Sequence, residues 1–180
     1  MIRYNIPNFF KNLWMFRKVL YNYRWYAGHS AILPFLETAL TDMSNKMYVY
    51  GHEEEVSRLK KIAKMRRAVE ITQRFNQYNF IDLAELELGS LHEFDYSFKS
   101  SKDHPGCFEF VDNMGEVESA HNSKVYARSQ EIEAEMWIEL WEIIKGQDVS
   151  EYKKILDSKK KDPNSWNKWF DGSGLRGWWD

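Results

Sequence analysis

Residues 117–145 read VESAHNSKVYARSQEIEAEMWIELWEIIK, and this stretch decides the fold. Apolar side chains return every three or four positions, from Val125 through Ile132 to Leu140, which is the spacing of one face of an α-helix. Gly146 follows directly, and glycine is typical of the residue that ends a helix. The stretch therefore predicts one long amphipathic helix that buries its apolar face.

The rest of the chain repeats this helical spacing between capping residues, glycines and prolines. Asn8 is expected to cap the first helix, and Pro34 is expected to lie in the first turn of the second. The predicted helices are residues 9–27, 33–47, 53–78, 80–88, 117–145 and 148–161. Because their apolar faces must be buried together, the sequence predicts an all-α protein, a single-domain bundle of five to six helices.

Two segments depart from the helical pattern. Residues 90–115 predict a long loop, with a short strand around Cys107–Val111. Residues 164–180 form an irregular tail that carries four tryptophans. Exposing so much apolar surface to solvent is unfavourable. The predicted organisation is therefore a helical domain at residues 1–163 and a C-terminal tail at 164–180, packed on the domain or on a partner subunit.

Length and composition bound the class of protein. A chain of 180 residues with 43% hydrophobic residues fits one globular domain and excludes wholesale disorder. No window approaches the roughly 20 apolar residues of a membrane span, so we expect no membrane partner. Cys107 is the only cysteine, which excludes an internal disulfide. Because the N-terminal residues lack the features of a signal peptide, we expect a cytoplasmic protein.

Charge is unevenly distributed along the chain, although the net charge is only −2. Residues 1–80 carry 13 Lys and Arg against 6 Asp and Glu, a net charge of +7, whereas residues 81–150 carry 5 against 16, a net charge of −11. Two interpretations are open: the two blocks pair between helices, or the basic block receives an anionic ligand. The acidic net charge argues against binding of long nucleic acid.

Cationic and aromatic side chains recur together on three of the predicted helices. Arginine binds phosphate through two nitrogen atoms, and indole rings stack on nucleobases. If the first, third and fifth helices pack together, these side chains form a site for a small anionic or nucleotide-like ligand. The alternative is that Glu131, Glu135 and Glu139 neutralise the cations within the bundle. The candidate ligand-binding residues are Trp14, Arg17, Arg24, Trp25, Lys64, Arg67, His121, Lys124 and Arg128.

Catalytic motifs are absent from the sequence, which has no phosphate-binding glycine loop and no GxSxG nucleophile motif. Glu118 and His121 match half of a di-iron motif, but no second Glu-x-x-His occurs. We therefore expect a binding protein with no catalytic residue, no metal and no cofactor. Two alternatives stay open. One is a metal-dependent hydrolase of a nucleotide signal that uses Glu118, His121 and Glu131, and the other is a structural or host-protein-binding subunit anchored by tryptophans.

Four segments carry a family resemblance: NLWMFRKVLYNYRWY, SRLKKIAKMRRAVEI, SAHNSKVYARSQEIEAEMWIELWEIIKG and GLRGWWD. Together they resemble a family of small uncharacterised proteins encoded by tailed bacteriophages, and the resemblance covers most of the chain except residues 90–115. It implies a protein that acts in the cytoplasm of the bacterial host or is built into a particle. By analogy with phage proteins that oppose host defence, the expected function is a non-catalytic, homo-oligomeric counter-defence protein that sequesters a nucleotide-like ligand.

Overall fold

A computed structural model of the protein describes residues 2–101, 104, 106–147, 170–175 and 178. These residues form five α-helices and one two-stranded antiparallel sheet, which confirms the predicted all-α class. The predicted helix at residues 148–161 and much of the predicted tail lie outside the described residues. The bounds are α1 Ile2–Asn22, α2 His29–Tyr50, α3 Glu55–Gln77, α4 Phe80–Leu88, β1 Tyr96–Ser100, β2 Phe108–Asp112 and α5 Glu116–Lys145.

Helices α3, α4 and α5 begin and end close to the predicted positions. Helix α4 has the predicted bounds, and α3 and α5 differ from them by at most two residues. Gly89 and Gly146 follow α4 and α5 in backbone conformations with positive φ, which only glycine adopts without strain. The glycines therefore end these helices, as the sequence indicates.

The predicted start of α1 is wrong. The helix begins at Ile2 rather than after Asn8, and Pro7 lies inside it. Proline removes one backbone hydrogen bond from a helix, but the apolar spacing of Phe9 and Leu13 continues upstream through Ile6. The continued apolar stripe thus outweighs the local break that proline and asparagine indicate.

The connection between α1 and α2 also differs from the prediction. A short 3-10 turn at Trp25–Ala27 follows α1, and Gly28 then takes a positive φ of 58° immediately before α2. Helix α2 therefore begins at His29, and Pro34 lies in its second turn rather than its first. The hydroxyl of Thr38 donates a hydrogen bond to the Pro34 carbonyl oxygen at 2.8 Å.

A β-hairpin occupies part of the segment for which the sequence predicts a long loop. Strand β2 confirms the predicted strand near residues 107–111, whereas β1 was not predicted. The two strands pair in register, with Phe98 opposite Phe110. Aromatic residues at every second position, Tyr96 and Phe98 in one strand and Phe108 and Phe110 in the other, are the signal that indicates both strands.

The chain separates into two compact units. Unit 1 comprises residues 1–78 and 136–180, and its centre is the packing of α2 along α3. Leu40 of α2 and Met65 of α3 are fully buried there. The last turns of α5 complete this core, where the ring centroid of Trp137 lies 4.1 Å from that of Phe75.

The described residues of the C-terminal segment, which belong to unit 1, pack on its helices. Phe170 and Trp178 are buried, and the indole nitrogen of Trp178 donates a hydrogen bond to the Gly172 carbonyl oxygen at 2.7 Å. Gly172 touches the backbone of Lys60 so closely that a Cβ atom would lie 2.3 Å from the Lys60 carbonyl oxygen. The amide of Gly174 donates to the Ile143 carbonyl oxygen at the end of α5, at 2.8 Å.

Unit 2 comprises residues 79–135, which are α4, the hairpin and the first part of α5. Phe80, Val125 and Ile132 are buried in its core. The buried side chain of Asn122 accepts a hydrogen bond from the His92 amide at 2.9 Å and donates one to the His92 carbonyl oxygen at 3.0 Å. This pair of bonds fixes the segment that leads from α4 into the hairpin.

Candidate functional site

Arg17 of α1 and Arg24, which follows α1, each bind to their own segment. The guanidinium of Arg17 lies 3.8 Å from the ring centroid of Trp14 and donates a hydrogen bond to the Trp14 carbonyl oxygen. Arg24 donates to the Tyr23 carbonyl oxygen at 3.0 Å. Trp14 and Trp25 are both largely exposed. A guanidinium stacked on an exposed indole ring is the one cation–aromatic unit that the described part of α1 presents.

The two candidate residues of α3, Arg67 and Lys64, are paired with carboxylates inside unit 1. Arg67 donates two hydrogen bonds of 2.7 Å to the two carboxylate oxygens of Glu139, and its other terminal nitrogen lies 2.9 Å from Glu70. The hydrogen bond with Glu139 raises the pKa of Arg67, and the same bond lowers the pKa of Glu139. Lys64 lies 3.5 Å from a carboxylate oxygen of Asp171.

Arg128 of α5 is paired even more completely, within unit 2. Arg128 donates to Glu87 at 2.7 Å, to Glu131 at 3.2 Å and to Glu135 at 3.0 Å. The hydrogen bond from Arg128 lowers the pKa of Glu87. The alternative stated from the sequence, in which glutamates neutralise the cations, therefore matches the ion pairs of both Arg67 and Arg128.

The nine candidate residues divide between the two units. Trp14, Arg17, Arg24, Trp25, Lys64 and Arg67 belong to unit 1, and His121, Lys124 and Arg128 belong to unit 2. Within unit 1, α2 is the main partner of both α1 and α3 among the described elements. Three described grooves are lined by none of the nine residues.

His121 and Glu118 make local hydrogen bonds. The Nε2 atom of His121 lies 3.1 Å from the Ser90 carbonyl oxygen, and its ring centroid lies 5.1 Å from that of His92. Glu118 accepts a hydrogen bond from the Gly115 amide at 3.3 Å. Among residues that the structure describes, no group of three or more His, Cys, Asp and Glu side chains is arranged to hold a metal ion.

Arg67→Met is expected to weaken the dependence of stability on acid pH. Because Arg67 lowers the pKa of Glu139 below its ordinary 4.5, the pair stabilises the fold above that pH, and the stabilisation is lost as pH falls through the lowered pKa. At pH 7, the free energy of unfolding of the variant should be about 1 kcal/mol lower than that of the wild type. On acidification, the free energy of unfolding should fall less in the variant than in the wild type. Urea unfolding over a pH series measures both effects. Arg66→Met is the matched control, and identical pH profiles for R67M and the wild type would contradict the prediction.

The feature that sequence reasoning missed is the exposure of one face of α1. We call Phe9, Leu13, Phe16 and Leu20 the α1 face; they share one stripe at helical spacing. Phe9 is 60% exposed, Leu13 is 44% exposed and Leu20 is 48% exposed. The sequence identifies the stripe, and it predicts that the stripe is buried. That prediction fails because the sequence of α1 does not show how much surface α2 offers to it.

A groove lies along the α1 face. Its volume is about 290 Å³, and its lining consists of the α1 face with Asn12 and with Phe35 of α2. The ring centroid of Phe35 lies 5.9 Å from those of Phe16 and Tyr23, so α2 contributes one ring to the groove. The remainder of the α1 face is accessible to a partner.

The fold and this face define a helical protein with an exposed apolar surface on α1. No protein-family model matches the chain, and no curated protein or solved structure matches it. The resemblance to phage proteins therefore stays a prediction. Among the described residues, no helix combines the length and the hydropathy that a bilayer crossing requires.

Proposed function

We propose that the protein is a non-catalytic assembly subunit that binds a second copy of its own chain through the α1 face. The observation that carries this proposal is that three of the four side chains of the α1 face are more than two-fifths exposed. Monomeric proteins rarely expose a contiguous apolar patch of this kind, and such patches mark interaction surfaces. The proposal takes up the structural-subunit alternative stated from the sequence, but its anchors are phenylalanines and leucines of α1 in place of tryptophans.

Charge favours a second copy as the partner. Helix α1 carries four basic residues and no acidic residue, so its partner surface should be apolar and acidic. The chain itself supplies acidic surface, since residues 81–150 have a net charge of −11. Two copies of this chain are therefore complementary in charge, with the basic N-terminal part of one facing the acidic part of another.

Leu13→Glu is expected to weaken self-association by at least roughly thirtyfold, the effect of losing one interface hot spot. The added carboxylate would be desolvated in the middle of the α1 face, whereas Leu13 is exposed enough in the monomer for the fold to tolerate it. Sedimentation velocity over a concentration series measures the change. Leu86→Glu, the same substitution at an exposed leucine of α4, is the control.

Three results would contradict the proposal. The first is a wild type that stays monomeric at every concentration. The second is an equal loss of association in L13E and L86E. The third is flotation of the wild type with vesicles of anionic phospholipid that L13E abolishes, because a basic helix with an aromatic face also suits a lipid surface. Circular dichroism of each variant shows that its helices are retained.

The nucleotide-sequestering function predicted from the sequence receives less support from this geometry. Arg67 and Arg128, the two arginines outside the α1 region among the candidate residues, are each bound to at least two carboxylates. A phosphate would have to displace those carboxylates, at the cost of their ion pairs. Thermal-shift measurements with cyclic dinucleotides test this function, and a marked stabilisation would favour it over assembly.

A further inference from the structure

The hairpin presents a second exposed aromatic surface. We call Tyr96, Phe98, Phe108 and Phe110 the hairpin face; the register places all four side chains on one side of the two-stranded sheet. The ring centroids of Tyr96 and Phe110 lie 5.4 Å apart in a stacked arrangement, and Phe98 meets both rings edge to face. All four side chains are between 53% and 71% exposed.

An isolated hairpin of this kind gains stability when its aromatic face is covered. Two strands alone are marginally stable in water, and a third strand or a packed surface is normally needed. The opposite side of the sheet supplies only part of that cover, since Ser97 and Val111 on it are half-buried whereas Lys99 and Glu109 are exposed. The ring cluster stabilises the hairpin enough to form, and it leaves a flat apolar surface for a partner.

We infer that the hairpin face of one copy binds the α1 face of the next copy. This inference rests on the proposed function, because it takes the α1 face as a docking surface. It adds that the surface bound there is the hairpin face of another copy. Each chain carries one example of each surface, so the contact joins two different patches rather than two identical ones.

The dimensions of the two surfaces agree. The α1 face runs from Phe9 to Leu20, which at the rise of an α-helix is about 16 Å. Strand β1 is five residues long and spans about 13 Å at the rise of a β-strand. The hairpin therefore fits along the groove, with its rings against Phe35 and the leucines of α1.

The charges around the two surfaces are opposite. Residues 93–113, which contain the hairpin, hold five acidic and two basic residues, whereas α1 holds four basic residues and no acidic one. Pairing α1 with a second α1 would bring like charges together, and the same holds for two hairpins. The contact between unlike surfaces removes both repulsions, and added salt should weaken it.

Contacts between unlike patches have a defined consequence for assembly. Each bound copy still offers its remaining surface to another copy, so the assembly continues until it closes into a ring or extends as a filament. A chain with one surface destroyed can bind only at its other surface, and this property provides the test.

The test mixes two full-length variants, Leu13→Glu with a damaged α1 face and Phe98→Asp with a damaged hairpin face. Each variant alone is expected to be monomeric, and an equimolar mixture is expected to form a one-to-one dimer and nothing larger. Sedimentation velocity with one variant fluorescently labelled measures this. Phe108→Ser, which leaves the rings of Tyr96, Phe98 and Phe110 in place, repeats the test in case F98D disturbs the hairpin. Leu86→Glu should assemble like the wild type.

The other outcomes separate this inference from the proposed function. Dimers of F98D alone, with L13E monomeric, would mean that α1 pairs with α1, which overturns the inference and keeps the proposed function. Dimers of L13E alone would mean that hairpins pair with each other, which overturns both. Monomeric variants that give no dimer when mixed, beside a wild type that assembles, would overturn the inference alone.

Discussion

Replacing Trp178 by alanine is expected to lower the free energy of unfolding by about 3–5 kcal/mol, the range for deleting a large aromatic side chain from a core. Trp178 is 1% exposed, and its indole nitrogen donates to the Gly172 carbonyl oxygen at 2.7 Å. The substitution leaves a cavity and an unpaired carbonyl oxygen at the point where the C-terminal segment meets α3. Urea unfolding followed by circular dichroism measures the loss.

Trp141→Ala is the matched control for this prediction. Trp141 is 63% exposed on α5, so the same substitution should change the free energy of unfolding by no more than about 0.5 kcal/mol. Trp178→Phe keeps most of the apolar contact but removes the hydrogen bond and part of the ring, so its cost should be about 1–3 kcal/mol. A loss for W178A as small as the loss for W141A would contradict the burial of Trp178 in unit 1.

The bounds of α3, α4 and α5 were predictable because their signals are local. In α4, Asn79 precedes the first helical residue and Gly89 follows the last, and both bounds agree with the prediction. The pairing of Arg128 with Glu131 is also local, since residues three apart face each other on a helix. The pairing of Arg67 with Glu139 joins residues 72 positions apart, and no spacing rule indicates it.

The exposed surfaces were not predictable for a different physical reason. The apolar stripe of α1 and the aromatic residues at every second position of the hairpin are visible in the sequence. Whether these side chains are buried depends on how much surface the neighbouring elements place against them. At the α1 face, Phe35 of α2 is the neighbour that contributes a ring to the groove. A pattern of apolar residues shows which face of an element is apolar, and only the structure shows whether other residues of the chain cover that face.

The second large effect is expected from Glu53→Gln, at about 3 kcal/mol of unfolding free energy. The side chain of Lys61 is 7% exposed, and its ammonium nitrogen lies 2.8 Å from the Glu53 carboxylate. Neutral glutamine leaves that ammonium buried without an opposite charge, and the ring of Phe170, 5.9 Å away, compensates only in small part. Urea unfolding at neutral pH measures the loss.

Two further variants distinguish a buried charge from lost packing. Glu55→Gln changes an exposed carboxylate in the first turn of α3 and should cost about 0.5 kcal/mol. Lys61→Met removes the charge and keeps the apolar stem, so the double variant E53Q/K61M should be more stable than E53Q alone. If the double variant is as unstable as E53Q, the cost comes from the packing around Glu53, and the desolvated ammonium of Lys61 is not its cause.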